Sequence, residues 1–373
     1  MKGFKGFARL AVVMLTIFAL LLSGCAKNDA QPTSGSNVEP KEEEFKVAFV
    51  YVGPVGDAGW TYAHDMGKKY LEEQVPNVKT TIVEAVKEGP EAETVLTQLA
   101  EQGNKVIFAT SFGYMDYVQK VAAKYPDVVF LHCSGYKTAE NVGTYFGRMY
   151  QPRYLSGLVA GSKTEKDVIG YVAAFPIPEV IRGINAFTLG VREVNPDAKV
   201  KVVWTNTWYD PATEKEAAIS LLDSGADVIA MHQDTPGPMQ AAEEKGAFAI
   251  SYNTDMSQFA PKAVMTGPVW NWGPYYAETV KAVIEGTWKS DQYWGPMSDG
   301  ITDLAPFGDM VPAEVKQLVE DKKQAIIKGE FDVFQGPIKD QSGAEKVPAG
   351  GALTDEEMLS LDWFVEGVEG SLQ

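Results

Sequence analysis

The segment KVAFVYVGPVGDAGWTY, residues 46–62, decides the fold. It opens with a continuous apolar run, Lys46 to Val52, and passes through a glycine-rich loop to Trp60, where a helix is expected to begin. Continuous apolar runs of this kind are typical of strands that are buried on both faces of a parallel sheet. The segment therefore predicts the first strand and the following helix of a βαβ unit.

The same unit recurs along the chain. Further strands are predicted at residues 80–83, 106–110, 128–133, 168–173, 200–204, 228–231 and 247–251. Helices are predicted between them at 91–102, 115–124, 179–194, 214–224 and 239–245. Repeated βαβ units indicate an α/β fold with doubly wound parallel sheets. Two sets in tandem, in a chain too long for one core, predict two lobes.

The predicted lobes are each built from two stretches of chain. We expect the N-terminal lobe to comprise residues 45–164 plus about 266–298, and the C-terminal lobe residues 165–265 plus about 299–373. The polar stretch 163–167 is the predicted first crossover, and several crossovers together make a hinge that permits clamshell closure. Open α/β sheets bind ligands beyond the carboxyl ends of their strands. The cleft between the lobes is therefore the expected site.

The amino terminus has the composition of a secretory signal. Three basic residues precede an apolar run from Leu10 to Leu22, and the sequence LSGC at 22–25 ends it with small residues before a cysteine. This pattern indicates a lipoprotein signal. A transmembrane anchor is the alternative, but the run is shorter than the roughly 20 residues that a spanning helix needs.

Residues 1–24 are thus predicted to be removed, which leaves Cys25 as the lipidated first residue. More than one acyl chain on Cys25 would hold the protein stably on the extracytoplasmic face of the cell membrane. Residues 25–44 are polar and are predicted to form a flexible tether. Cys133 is then the one remaining cysteine, so no intramolecular disulfide is expected.

Charge excludes one class of partner. The formal net charge is −17, and loss of three basic residues with the signal makes it more negative. Such a charge repels nucleic acid, which is therefore not an expected partner.

Aromatic and polar-neutral side chains follow the predicted strands. Trp60, at a strand-to-helix turn, is poorly placed for a core and is expected to project into the cleft. Packing between lobes explains any one of these aromatics equally well, but their repetition at one topological position favours ligand contact. The candidate ligand-binding residues at these strand ends are Asp57, Trp60, Phe112, Tyr114, Phe175, Asn206, Trp208, Asp234, Asn253, Asp255 and Trp270.

This composition suits a small flat heterocycle. Each aromatic face that stacks on such a ring contributes on the order of 1 to 3 kcal/mol, and amides and carboxylates can pair with its edges. The mature chain has four arginines, and none lies in these loops. An anionic ligand would usually require a bidentate arginine there, so an anionic ligand is less favoured.

Enzyme signatures are missing from the sequence. His64, His132 and His232 are far apart and have no partner at metal-ligand spacing. The G-x-S-x-G elbow and the P-loop are both absent. We therefore expect neither catalysis nor a metal or cofactor. His232, beside Gln233 and Asp234, is the histidine best placed to donate or accept a hydrogen bond in the pocket.

Three motifs resemble one protein family. GDAGW at 56–60, FGRMYQPRYLSGLVAG at 146–161 and GADVI at 225–229, together with the lipoprotein signal, are similar to the basic membrane protein family of lipoproteins. The resemblance implies a type I periplasmic-binding fold that serves an ABC importer of nucleosides and purines. It also implies that Trp60 stacks on the base and that Asp57 lies at the entrance of the pocket.

Two positions depart from the family pattern. Asn253 stands where many nucleoside-binding members have an aspartate that grips ribose, and Trp270 stands in a segment where they have a lysine. Both changes remove sugar-recognising charge and favour a free base. The resemblance implies an ABC permease with its ATPase as partner. A sensor lipoprotein that presents its ligand to a membrane receptor, or a protein for another small ligand such as an amino acid, remains the alternative.

Overall fold

A computed structural model describes residues 44–372 of the chain. The predicted signal, Cys25 and the tether up to residue 43 lie outside these described residues. The first part of the described chain contains β1 (Phe45–Val50), α1 (Trp60–Gln74), β2 (Val78–Val83), α2 (Pro90–Glu101), β3 (Val106–Ala109), α3 (Met115–Ala122), β4 (Val129–Cys133) and β5 (Val142–Gly147).

A second set of alternating helices and strands follows. Its members are α4 (Tyr150–Lys163), β6 (Val168–Ala173), α5 (Pro178–Val194), β7 (Lys199–Trp204), α6 (Pro211–Asp223), β8 (Val228–His232), α7 (Gly237–Glu244), β9 (Phe248–Ile250) and β10 (Val264–Thr266). The chain continues through β11 (Pro268–Trp270), α8 (Gly273–Ile284), β12 (Gln292–Gly295), β13 (Thr302–Leu304), α9 (Ala313–Ile327), β14 (Ile338–Lys339), β15 (Glu345–Val347), α10 (Asp355–Leu359) and β16 (Val368–Glu369).

Two six-stranded parallel sheets carry the architecture. The first has the strand order β12-β5-β4-β3-β1-β2, and the second has the order β10-β9-β8-β6-β7-β16. All pairings within both sheets are parallel. The central strands β3 and β8 are buried along their whole length, as continuous apolar runs predict. The predicted α/β class with two doubly wound lobes is confirmed.

Helix α4 belongs with the second sheet. It packs on α5 so closely that a Cβ at Gly157 would lie 2.1 Å from the carbonyl oxygen of Phe187. Gly190 makes the reciprocal approach to Tyr154. Since the polar stretch 163–167 is the turn that links α4 to β6, we propose that the N-terminal lobe ends near Gly147 rather than near residue 164.

The hinge between the lobes includes a small antiparallel pair. β11 and β13 pair with each other between the two large sheets, and Asn253 forms an isolated bridge to Val269 of β11. After β11 the chain supplies α8, which packs on α1, and then β12 at the edge of the first sheet. After β13 it returns to α9, which packs on α4. These crossings place the carboxyl ends of both sheets opposite each other.

Candidate functional site

One pocket lies between the carboxyl ends of the two sheets. It encloses about 340 Å³, the open space at its mouth included. The N-terminal lobe contributes a tryptophan, a phenylalanine, two serines and a valine, and the C-terminal lobe contributes a tryptophan, a tyrosine, a histidine and two carboxylates. The lining residues are Val52, Trp60, Ser111, Phe112, Ser134, Glu179, Trp208, His232, Asp234 and Tyr252.

Asp57 fixes the loop that presents Trp60. Its carboxylate accepts hydrogen bonds from the backbone N–H groups of Gly59 at 2.8 Å, Thr61 at 2.8 Å and Tyr62 at 2.9 Å. These are N–H groups at the start of α1, which lack partners within the helix. Asp57 is therefore a buried cap that holds Trp60 at the first position of the helix.

Trp60 faces both the pocket and the protein interior. Its side chain is only 9% exposed, and its ring packs edge-on against Trp270 and Trp272, with centroid separations of 5.7 and 5.8 Å. The prediction that Trp60 is poorly placed for a core considers only β1 and α1. The cluster that encloses Trp60 comes from β11 and the start of α8, which are distant in sequence.

The C-terminal wall contains a neutral histidine. His232 Nε2 lies 3.5 Å from Oε1 of Glu179, and its ring centroid lies 4.5 Å from that of Tyr252. Burial lowers the pKa of His232 to about 4, so the imidazole is uncharged at neutral pH. Glu179 reaches the pocket from the first turn of α5.

Two buried carboxyl groups, those of Asp57 and Asp234, repel each other electrostatically where the lobes touch. Burial raises the pKa of Asp234 well above its usual value, and Asp57 and Glu214 raise it further. Burial also raises the pKa of Asp57 to about 6, although its backbone hydrogen bonds oppose this shift. Asp234 therefore ionises less readily than an exposed aspartate, and when it holds a proton it offers one O–H donor and an acceptor oxygen.

The cations near the pocket lie behind its walls. The Arg153 guanidinium carbon lies 3.6 Å from the ring centroid of Tyr252, and Arg153 donates to the carbonyl oxygen of Met231 at 2.7 Å. Arg182 donates to the carbonyl oxygen of Met358. Among the described residues that line the pocket, none is a lysine or arginine.

The two lobes are in direct contact. Trp208 Nε1 donates to Oε2 of Glu88 at 3.3 Å, and Thr254 Oγ1 donates to the carbonyl oxygen of Ala58. A Cβ at Gly59 would lie 2.4 Å from the carbonyl oxygen of Asp234, so only glycine permits this approach of the two backbones. The structure is therefore that of a closed clamshell.

The sequence-predicted residues fall into three groups. Four line the pocket: Trp60, Phe112, Trp208 and Asp234. Four support the pocket from behind: Asp57, Phe175, Asn253 and Trp270. Asp57 caps α1, the Phe175 ring packs against Trp208 with a centroid separation of 5.0 Å, and the Asn253 side chain bonds to both Asp234 and Trp270. Three lie elsewhere, and these are Tyr114, Asn206 and Asp255.

Those three residues have local structural roles. Tyr114 is fully buried among α2 and α3, and its hydroxyl donates to the carbonyl oxygen of Val86 at 2.5 Å. Asn206 is exposed and has a φ of 56°, a left-handed conformation that asparagine tolerates. Asp255 is exposed and accepts a hydrogen bond from the backbone of Ser257 at 2.9 Å.

Sequence reasoning missed Glu179, Tyr252, Ser111 and Ser134 as lining residues. Glu179 is one carboxylate among many in the sequence and carries no motif, although its place just after β6 at a helix start was visible. Tyr252, Ser111 and Ser134 each closely follow a strand, and the same strand-end rule that selected Phe112 applies to them.

Neither a metal site nor a membrane span is found between residues 44 and 372. Across that range no group of three or more His, Cys, Asp or Glu side chains is arranged to hold a metal ion. No helix of the same range is long and apolar enough to cross a membrane.

These features define a class of protein. Two parallel-sheet lobes, a hinge of several chain crossings and a pocket between the lobes are those of a two-lobed solute-binding protein with the type I periplasmic-binding fold. Over residues 45–335 the sequence matches the family described as ABC transporter substrate-binding protein PnrA-like, and the chain belongs to this family. The family resemblance is confirmed, and the chain is a binding protein rather than an enzyme.

Relatives and solved structures agree on this class. The chain is 44% identical over 362 residues to a purine-binding protein of Brucella abortus, covering 97% of this chain and 99% of the relative. It is 43% identical over 351 residues to a Haloferax volcanii protein provisionally named an ABC transporter glucose-binding protein, covering 94% and 86%. An ABC transporter solute-binding protein from Aeropyrum pernix superimposes with a TM-score of 0.69 at 20% identity, covering 79% and 93%, which shows the fold alone.

Proposed function

We propose that this substrate-binding protein captures a purine base or nucleoside between its lobes, on the extracytoplasmic face of the membrane, and delivers it to an ABC importer. The observation that carries the proposal is the pocket itself. Aromatic side chains from both lobes, Trp60 and Phe112 on one side and Trp208 and Tyr252 on the other, surround a space whose lining charges are carboxylates.

The aromatic walls suit a planar ligand. A flat heterocycle has two π faces, and each aromatic contact is worth about 1 to 3 kcal/mol. Because the walls belong to different lobes, such a ligand gains both faces only when the clamshell is closed. Ligand binding thereby favours the closed arrangement of the lobes, which is the difference by which a partner can distinguish the loaded protein.

The polar groups suit the edges of a purine. Burial disfavours the charged form of Asp234, and when its carboxyl group holds a proton it both donates and accepts, as does the mixed donor–acceptor edge of a purine base. Glu179 provides a second acceptor, and the hydroxyl groups of Ser111 and Ser134 adapt to either role. A phosphorylated ligand would bring its charge against Glu179 with no cationic side chain lining the described pocket.

Glucose is the competing ligand, because one relative bears that name. A pyranose also stacks on tryptophan, but its hydroxyl groups point outward around the whole ring and each requires a polar partner when buried. Four of the ten lining residues here are aromatic. This composition favours a base over a sugar.

A free base is favoured over a nucleoside. Asn253, at the position where nucleoside-binding members have a ribose-gripping aspartate, has its amide engaged within the protein. Trp270, where those members have a lysine, packs against Trp60 rather than offering a charge. Neither residue lines the pocket, so neither is available to a sugar.

A ligand panel tests the proposal directly. Calorimetric titration and thermal shift should be run with adenine, guanine, hypoxanthine, their nucleosides, glucose and a set of amino acids. We expect purine bases to bind and to raise the melting temperature, since binding stabilises by RT ln(1 + [L]/Kd). Binding of glucose alone, or of an amino acid alone, would replace the purine proposal.

Delivery is a separate part of the proposal. The lipoprotein signal supports anchoring beside a permease, whereas a sensor would hand its ligand to a receptor. Uptake of labelled base into cells that lack the gene distinguishes the two roles. An importer component predicts lost uptake, while a sensor predicts normal uptake and a lost transcriptional response.

A further inference from the structure

Asn253 uses both ends of its amide inside the protein. The side chain is fully buried, and its backbone has a φ of 70°, in the left-handed region. Its Nδ2 donates to the carbonyl oxygen of Gln233 at 3.3 Å and to Oδ1 of Asp234 at 3.2 Å. Its Oδ1 accepts from Nε1 of Trp270 at 3.0 Å.

The donor and acceptor chemistry fixes the direction of this amide. An indole N–H can only donate, so the oxygen of Asn253 must face Trp270. The amide nitrogen then faces Gln233 and Asp234, where it meets a carbonyl oxygen and a carboxyl oxygen. In a flipped amide the Asn253 N–H groups would face the N–H of Trp270, and the Asn253 oxygen would face the carbonyl oxygen of Gln233. Only one orientation therefore satisfies all partners.

Asn253 thus joins two walls of the pocket. Asp234 lines the pocket from the C-terminal lobe. Trp270 lies in hinge strand β11 and packs edge-on against Trp60, the wall of the N-terminal lobe. A backbone hydrogen bond from Trp270 N to Asn253 O, at 3.2 Å, runs beside the side-chain bond.

We propose that Asn253 is a positioning residue that makes no ligand contact and sets ligand affinity by orienting the Asp234 carboxyl group while it braces Trp270 behind Trp60. This inference rests on the proposed function, since it assigns Asp234 to the edge of the ligand and Trp60 to its face. The positioning role explains why position 253 carries an amide rather than a carboxylate. A carboxylate at 253 would accept from Trp270 equally well but would have no donor for Asp234.

The charges around Asp234 make the missing donor costly. Asp57, Glu214 and Glu179 all interact unfavourably with a charged Asp234, whereas Asn253 donates to it. Replacement Asn253→Asp keeps the size and the bond to Trp270. It adds a further negative charge, so the two carboxyl groups can restore a hydrogen bond only by sharing a proton.

The test compares Asn253→Asp with wild type by titration with adenine at pH 8 and pH 5. We expect affinity about 10- to 100-fold weaker at pH 8, the range for a lost hydrogen bond to a charged group. Affinity should recover toward wild type at pH 5, where the pair holds a proton.

Two further variants serve as controls. The double variant N253D/D234N, which restores one donor and one acceptor, should bind better at pH 8 than Asn253→Asp alone. Gln258→Ala, an exposed change in the same loop, should bind as wild type does.

Two results would overturn the proposal. One is an Asn253→Asp protein with wild-type affinity at both pH values, and the other is a loss of affinity that neither acid nor the double variant repairs. If adenine does not bind wild type, the purine or nucleoside of the panel that does bind replaces it in the titration, and if none binds, the proposed function fails by itself. Melting temperatures measured without ligand then test the positioning role. If Asn253→Asp melts below wild type at pH 8 because Asp234 has lost its donor, the difference in melting temperature must become smaller at pH 5.

Discussion

Trp60 Nε1 donates a hydrogen bond of 2.7 Å to the backbone carbonyl oxygen of Thr110. Thr110 directly follows β3, so this bond ties the first residue of α1 to the carboxyl end of the neighbouring strand. Asp57 holds the same residue from the other side by capping the helix. These contacts fix the position of the indole, which reduces the entropy cost of stacking on a ligand.

Trp60→Ala should weaken both folding and binding. Loss of a stack predicts about 1 to 3 kcal/mol less binding energy, which is about 5- to 150-fold in affinity for adenine. Because the side chain is 9% exposed and packs on two tryptophans, we also expect the free energy of unfolding to fall by roughly 3 to 5 kcal/mol. Calorimetric titration beside a urea melt measures both effects.

Trp60→Phe separates the two roles. It keeps an aromatic face but loses the bond to Thr110, so it should retain most of the affinity and lose about 1 kcal/mol of stability. Tyr62→Ala, on the same turn of α1 but 37% exposed, is the matched control and should change neither quantity much. Full adenine affinity in folded Trp60→Ala would exclude stacking on Trp60.

The fold was predictable where hydrophobic pattern and position agree. β6 runs from Val168 to Ala173, as predicted from its apolar run. Helix α4 was not predicted, because Pro152 and two glycines disfavour a helix in isolation. Those glycines are required by the approach of α5, a tertiary contact that sequence periodicity does not encode.

The site was predictable to the level of strand ends but not of side-chain direction. Phe112 and Tyr114 follow the same strand two residues apart, and one lines the pocket while the other is buried beneath it. A short 3-10 turn at Phe112–Tyr114 turns the second ring inward, and no local pattern indicates this. Trp270 was found by composition alone, and its role as a brace depends on hinge geometry.

His132→Gln should alter how stability depends on pH. His132 is fully buried, its Nε2 donates to the carbonyl oxygen of Ser111 at 2.8 Å, and burial lowers its pKa to about 4. An unfolded histidine titrates near 6.5. The unfolded state therefore binds more protons between these values, and wild type loses stability as pH falls from about 6.5 to about 4.

Glutamine at position 132 retains an N–H donor but does not titrate. The stability of wild type relative to His132→Gln should thus fall by up to about 3 kcal/mol between pH 7.5 and pH 4. Urea melts of the two proteins across this range measure the difference between their free energies of unfolding. The contributions of the other titrating groups are common to both proteins and cancel in this difference. Parallel stability curves would show that His132 is not buried in its neutral form.

Cys25→Ser should release the protein from the membrane. Acylation of Cys25 is the predicted anchor, and stable anchoring needs more than one acyl chain. Cell fractionation with an antibody against the folded lobes should find wild type in the membrane fraction and the variant in the soluble extracytoplasmic fraction. Ser23→Thr, beside the same cleavage site, serves as the control that keeps the acceptor cysteine. Retention of the Cys25→Ser protein in membranes would favour an uncleaved apolar helix.

Glu88 should control closure of the two lobes. Its Oε1 accepts from Ser111 Oγ at 2.6 Å and from Gly113 N at 2.8 Å, within the N-terminal lobe. Its Oε2 accepts from Trp208 across the cleft at 3.3 Å. Glu88 is therefore a rigidly held acceptor for a pocket-wall tryptophan of the other lobe. Glu88→Ala should leave each lobe folded but destabilise the closed form.

X-ray scattering with and without saturating adenine tests this consequence. Hinge closure predicts a smaller radius of gyration for liganded wild type. Glu88→Ala should compact less at the same ligand concentration and bind adenine about tenfold more weakly, as expected when the hydrogen bond that Glu88 accepts across the cleft is lost. Glu91→Ala, an exposed carboxylate on the adjoining helix, should behave as wild type does. If Glu88→Ala closes and binds normally, then the Trp208–Glu88 contact accompanies closure without stabilising it, and aromatic stacking on the ligand must supply the closing free energy.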